Sequence, residues 1–161
     1  MRKIMIGVIG GSQVDKKTAD LAFEVGSFIA RRGAAVVCGG LGGVMESAAR
    51  GASEQGGTVV GIIPSDNPGD ANPFIDIVIP TGMGLNRNVL VVRSSDVLIA
   101  FQGSYGTLSE IAFALNLGKT VVALPGGWDP RRAGPVESSL YKEAFDAAQA
   151  VGMALGSVRR E

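Results

Sequence analysis

Six short runs dominated by Val, Ile and other apolar residues recur along the chain, with helical patterns between them. The runs are Ile4–Ile9, Ala34–Cys38, Thr58–Ile63, Ile75–Ile79, Val97–Phe101 and Thr120–Leu124. They show little polar alternation, the mark of strands covered on both faces. Helical patterns fall near residues 15–32, 43–56, 84–94, 106–117 and 138–151. In the first, Leu21, Val25, Phe28 and Ile29 recur at helical spacing and Gly33 stops the helix. Strand–helix–strand repetition within 161 residues predicts one Rossmann-like α/β domain. Its parallel sheet should have six or seven strands with helices on both faces. Residues 64–74 are rich in turn formers and predict a loop, and no internal repeat or domain boundary is visible.

Glycine accounts for 24 residues, and the clusters follow apolar runs: Gly10-Gly11-Ser12, Gly39 to Gly43, and Gly103 to Gly106. Ligands of open α/β sheets bind beyond the carboxyl ends of the strands. Three such loops on one edge predict one pocket. The segment Gly103-Ser104-Tyr105-Gly106-Thr107-Leu108-Ser109-Glu110 joins a strand to the helical pattern Ile111–Leu115. Backbone N–H groups of such a turn converge on an anion at the positive end of the helix dipole. Glu110 follows Thr107 by three residues and shares nearly the same helix face. Beside a helix N-terminus its carboxylate is expected to be ionised, which suits a base or a stabiliser of positive charge. The same Thr107-x-x-Glu110 spacing also reads as a capping box, and the pattern leaves both readings open.

Arg87 opens the third helical pattern within Gly82-Met83-Gly84-Leu85-Asn86-Arg87-Asn88. Its fork suits phosphate or the polar edge of a base, and its unfavourable place at a helix start hints at a role. Gly42-Gly43-Val44-Met45-Glu46 opens the second helix, with the glycines facing ribose or phosphate or with Glu46 merely serving the dipole. The stretch Pro125 to Pro135, with Trp128 and Arg131-Arg132, follows the sixth run on the same edge and is placed to cover the pocket.

Fifteen basic and fifteen acidic residues balance, so no global field draws in nucleic acid or an anionic membrane. The absence of histidine removes Ser-His-Asp and Cys-His triads and the commonest zinc ligand; no metal site is expected. A single cysteine, Cys38, excludes an internal disulfide, as suits a reducing compartment. Met1-Arg2-Lys3 and the following apolar residues mimic a signal peptide, but the stretch is short and lacks a cleavage site. No apolar run approaches the roughly 20 residues of a membrane span, so a soluble, cytoplasmic protein is expected. Gly118-Lys119-Thr120 echoes a Walker A ending, yet position 113 is Phe and the triplet enters a strand. Gly7 to Ser12 misses the dinucleotide fingerprint, and Cys38 stands where an acidic residue would hold a ribose, which argues against NAD.

Taken in order, these motifs resemble the LONELY GUY family of cytokinin-activating phosphoribohydrolases, often mislabelled lysine decarboxylases. Gly103 to Glu110 matches the G-x-G-T-x-x-E core of that family, and Arg87 matches its arginine. Gly10-Gly11-Ser12 looks like its first loop, and Gly39 to Met45 resembles its second. Phe101-Gln102 replaces Pro-Gly, Asn88 replaces a lysine, and Glu46 replaces a glycine. In these departures the chain is more similar to the molybdenum-cofactor carrier branch and its bacterial relatives.

The resemblance implies binding of a phosphorylated small molecule, a nucleoside monophosphate or a pterin cofactor. It also implies an activity: hydrolysis of the N-glycosidic bond of a nucleoside 5′-monophosphate, with no cofactor required. Glu110 and Arg87 would then be catalytic. Ligand and phosphate would be held by Gly10, Gly11, Ser12, Gly40, Gly42, Gly43, Asn86, Gly103, Ser104, Tyr105, Gly106 and Thr107. The alternative is a non-catalytic carrier with the molybdenum cofactor as cargo. A homo-oligomer, dimer or tetramer, is implied in either case. Lysine decarboxylation is not expected, because neither Lys119 nor Lys142 has the context of a pyridoxal site.

Overall fold

The Val- and Ile-rich runs become strands because all but the fourth supply side chains to two apolar layers at once; the fourth, expected to be covered on both faces, lies at the sheet edge with Ile77 and Ile79 exposed. A computed structural model of the protein describes residues 2–158. Its order is β1 (Met5–Ile9), α1 (Lys16–Arg31), β2 (Ala35–Cys38), α2 (Val44–Ser53), β3 (Val59–Ile63) and β4 (Ile77–Pro80). Then follow α3 (Asn88–Ser94), β5 (Val97–Ala100), α4 (Tyr105–Asn116), β6 (Val121–Ala123), β7 (Tyr141–Glu143) and α5 (Ala147–Ser157). Alternation along the strands divides the core. Val36 and Cys38 of β2 face α1, α2 and α5, as do Val97 and Ile99 of β5. Val37, Leu98 and Ala100 face α3 and α4.

The seven strands lie in the order β4-β3-β2-β1-β5-β6-β7, and every pairing is parallel. The chain starts in the middle, winds outward to β4, then crosses back to β5 on the other side of β1. The winding therefore reverses between β1 and β5, where the loops that follow these neighbours must diverge and leave a crevice. The Rossmann-like α/β fold expected from the sequence is the fold observed.

Three elements differ from expectation. No helix spans 138–151: Tyr141–Glu143 pairs with β6, and α5 begins only at Ala147, capped by Asp146 accepting from the Gln149 N–H. Buried Tyr141, Ala144 and Ala147 are spaced by three residues, and a short strand plus a turn reproduces the helical period. The third helix starts as a 3-10 turn over Gly84–Arg87. The fourth strand begins two residues later than expected, because Asp76 turns its carboxylate onto the Val59 N–H and Ile75 packs over Gly61.

Helices α1 and α2 cross with backbones nearly touching. A Cβ on Gly26 would lie 1.9 Å from the Ala48 carbonyl oxygen, and one on Gly51 2.0 Å from that of Phe23. Ser27 Oγ seals the crossing by donating to the carbonyls of Phe23 and Gly51. By contrast, nothing lies within 4 Å of a Cβ on Gly152 in α5. Gly51→Ala should therefore destabilise by about 1–3 kcal/mol, overriding the helix propensity gained. Gly152→Ala should stabilise by about 0.5–1 kcal/mol. Thermal unfolding of the two variants, with Tm moving in opposite directions, checks both.

Candidate functional site

The three glycine loops meet at the crevice. The Gly11 N–H donates to the Gln102 carbonyl at 2.9 Å, and the Gly11 carbonyl accepts from the Val44 N–H at 3.0 Å. One peptide neighbourhood thus ties the loops after β1, β5 and β2 together. Gly43 turns into α2 at φ +65°, where a Cβ would lie 2.2 Å from the Gly11 oxygen, so only glycine fits. Gly40 accepts from the Asn72 N–H, and Asn72 Nδ2 donates to the Leu41 carbonyl. The 64–74 loop thereby braces the second glycine loop from outside.

Helix α4 begins at Tyr105 with Ser104 as its N-cap, and the Ser104 side chain makes no capping bond. Among the described residues, the N–H groups of Ser104, Tyr105, Gly106 and Thr107 find no protein acceptor; the first amide of this helix to be satisfied is Leu108, on the Ser104 carbonyl. Thr107 is 4 % exposed; no protein group hydrogen-bonds its hydroxyl, which keeps a trace of solvent contact. That hydroxyl packs against Gly103, where a Cβ would meet Thr107 Oγ1 at 2.1 Å and the Gly11 nitrogen at 2.9 Å. Glycine at 103 is what lets α4 start this close to the β1 loop.

The capping-box reading does not hold, because Thr107 is already inside the helix rather than at its cap. Glu110 lies a turn deeper on the same face and is 7 % exposed. No protein group hydrogen-bonds its carboxyl, and its oxygens keep a sliver of solvent contact, so it opens into the crevice. Burial pushes its pKa up to about 8, against the opposing pull of the Arg87 guanidinium. The expected ionised carboxylate is thus corrected: the group sits beyond the first turn, and desolvation outweighs the dipole and the nearby arginine. At neutral pH it is mainly the neutral acid.

Arg87 ends the 3-10 turn before α3 and is 5 % exposed, not solvated. Its Nε donates to the Ile62 carbonyl at 2.8 Å and its Nη2 to the Gly39 carbonyl at 3.2 Å. These are the carboxyl ends of β3 and β2. Nη1 donates to Asn88 Oδ1, and Asn88 Nδ2 donates to Ser109 Oγ at 3.2 Å, linking Arg87 to α4. Burial lowers the Arg87 pKa while Glu110 raises it, and the two groups form no direct ion pair. Cys38, fully buried beside them, is pushed up to about 11 by burial and stays a thiol.

The structure thus brings together the loops carrying Gly10, Gly11, Ser12, Gly40, Gly42, Gly43 and Gly103–Thr107, with Arg87 and Glu110 beneath. Asn86 is the exception, exposed on the 3-10 turn with no side-chain hydrogen bond. Trp128 reaches the α4 loop, its Nε1 donating to the carbonyls of Gly103 and Ser104 at 3.0 and 3.1 Å. Its ring lies 5.9 Å from that of Tyr105, tilted by 31°. Between this segment and Leu108 lies a cavity of about 350 Å³, bordered by Asp129 and Arg132. The carbonyls of Ile62 and Gly39 and the side chains of Asn72 and Ser109 were not among the expected site residues. Only Asn72, inside an Asx-forming Asn-Pro turn, left a trace in the sequence.

An uncharacterised protein of Archaeoglobus fulgidus is 50% identical over 124 residues, 77% of this chain and 82% of its own. The probable cytokinin riboside 5′-monophosphate phosphoribohydrolase LOGL9 of Oryza sativa is 33% identical over 65% of this chain, which spans only 48% of that relative. The molybdenum cofactor binding protein of Rippkaea orientalis superposes with a TM-score of 0.86 at 35% identity, covering 97% of this chain and 98% of the other. The molybdenum cofactor carrier protein of Chlamydomonas reinhardtii does so with a TM-score of 0.86 at 34% identity and the same coverage. DNA processing protein A of Helicobacter pylori shares only the fold, with 20% identity and a TM-score of 0.73. The family model of SLOG cluster4 matches residues 3–156, so the chain belongs to the SLOG cluster4 family.

Proposed function

We propose that the protein binds a phosphorylated small molecule, its phosphate on the N-terminus of α4. The observation that carries this is the run of N–H groups from Ser104 to Thr107 with no protein acceptor, beside the unpartnered Thr107 hydroxyl. Such a run gathers partial positive charge where a phosphate can accept several hydrogen bonds at once. The neutral acid of Glu110 suits an anion, since it can donate a hydrogen bond without repelling the charge. The likeness to a cofactor-binding and a cofactor-carrying protein over 97% of the chain supports a phosphorylated pterin, the molybdenum cofactor, as cargo.

A second reading is hydrolysis of a nucleoside 5′-monophosphate, favoured by Glu110 and Arg87 facing one crevice and by the phosphoribohydrolase relative. Water would add to C1′ as the C1′–N bond breaks, the base leaving with a proton, and ionised Glu110 would steady the oxocarbenium-like charge and orient the water. Arg87, its Nε and both Nη nitrogens already donating to protein acceptors, acts here through position and field. No cofactor enters this reaction.

We further propose a homo-oligomer, dimer or tetramer, in the cytoplasm, with no nucleic-acid partner. Exposed Ile77, Ile79, Met83 and Leu85 on and after the edge strand support self-association. Among the described residues no helix is long and apolar enough to cross a membrane. Sedimentation of the wild type should give more than the monomer mass.

Calorimetric titration with AMP at pH 7 should show binding that Thr107→Ala weakens by about threefold to tenfold, while Glu110→Gln changes it little. Above pH 7 the phosphate is already doubly charged, so affinity should fall as Glu110 ionises through about 8. Glu110→Gln should abolish that fall. Chromatography of AMP incubations tests the second reading: adenine release should rise with pH through the same range and vanish in Glu110→Gln.

Stability carries the same group with a definite sign. Glu110 is raised from 4.5 to about 8, so the folded state holds a proton that the unfolded chain releases between these values. Its contribution is complete below about 4.5 and is lost as pH rises towards 8. Relative to wild type, Glu110→Gln should therefore gain Tm between pH 5 and pH 9.

A further inference from the structure

We propose that Trp128 is a positioning residue for the anion cradle: its indole N–H holds the Gly103 and Ser104 peptides so that their amides face the phosphate. The proposal rests on the phosphate-binding reading above and adds what sets the cradle's geometry. Trp128 Nε1 lies 3.0 Å from the Gly103 oxygen and 3.1 Å from the Ser104 oxygen, a single donor bridging two successive carbonyls. The peptides are trans, so each carbonyl points opposite to the N–H of the next residue. Drawing both carbonyls to the indole therefore turns the Ser104 and Tyr105 N–H groups to the other side of the loop. Those groups are among the donors that find no protein acceptor.

A second observation marks that side as a ligand site. Glu110, more than nine-tenths buried, has no protein hydrogen-bond partner, keeps a sliver of solvent contact and stands on the α4 face that carries Thr107. Without the indole, the Gly103 carbonyl has no other protein donor and the Ser104 carbonyl keeps only the Leu108 N–H; Ser104 contributes no side-chain cap, and Gly103 adds the freedom of a residue without Cβ. Trp128 is in turn held from behind. Tyr141 Oη donates to its carbonyl at 3.3 Å, and Arg131, paired with Asp129 and Glu143, lies over the Tyr141 ring. The segment after β6 is thus anchored on β7 and reaches across α4 to set the cradle.

The test compares wild type with Trp128→Phe, which keeps an aromatic ring against Tyr105 and removes the donor. AMP and adenosine are titrated into each by calorimetry, and Tm is recorded. The expected result is an affinity for AMP about tenfold lower in Trp128→Phe, with adenosine affinity and Tm little changed. A structural role alone would lower Tm or weaken both ligands together. Equal AMP affinity in the two proteins overturns the proposal and leaves the phosphate reading standing. Failure of wild type to bind AMP or inorganic phosphate overturns both. Should Trp128→Phe not fold, the chain's single tryptophan provides the measurement in the wild type. Inorganic phosphate should then shift the lone indole N–H resonance together with the Ser104 and Tyr105 amides, and an unmoved indole overturns the proposal.

Discussion

The Gly11 peptide, donating to Gln102 and accepting from Val44, holds the two halves of this molecule in register where the sheet reverses its winding. β1 sits at the centre of the sheet, and the loops leaving β1 and β5 would otherwise diverge. Two hydrogen bonds made by the backbone of this one residue bring them back, along with the start of α2. The steric demands of Gly43 and Gly103 follow from this meeting, since a Cβ on either would come within 3 Å of the Gly11 backbone. The crevice is consequently walled by backbone, and backbone offers donors that do not depend on which side chains surround them.

Beneath that wall the electrostatics are asymmetric. Arg87 is buried but has carbonyl oxygens for partners, which offset much of the loss of water. Glu110 is buried with nothing donating to it, and it answers by holding its proton. The crevice thus holds a buried cation, a neutral acid and a row of amides without protein acceptors, the combination on which the anion-binding proposal rests. Asn88, where the resembling hydrolases carry lysine, adds no charge and spends its amide joining Arg87 to Ser109. The two readings proposed for this crevice, anion holding and hydrolysis, differ in the protonation they ask of this single carboxyl.

Much of the fold was legible in the sequence because strands buried on both faces must be continuous apolar runs, although β4 carries the same pattern at the sheet edge with Ile77 and Ile79 exposed. β7 was not, since only Tyr141 of its three residues is buried and the spacing to Ala144 and Ala147 mimics a helix. The glycine loops were legible for a related reason: close backbone approach excludes Cβ, and the clusters lie where strands end. The partners of Arg87 were invisible. Every residue has a carbonyl, so nothing in the identity of Ile62 or Gly39, 25 and 48 residues away, signals that one will accept from a guanidinium.

Local pattern was enough for the parallel α/β architecture, the strand ends that carry the loops, and the membership of Thr107 and Glu110 in one helix face, because periodicity and steric exclusion act over a few residues. The charge of Glu110, the burial of Arg87 and the reach of Trp128 to Gly103 and Ser104 came only from the folded arrangement. A pKa depends on what surrounds the group in three dimensions, and a hydrogen bond between residues 25 positions apart depends on topology. Proximity in sequence carries neither.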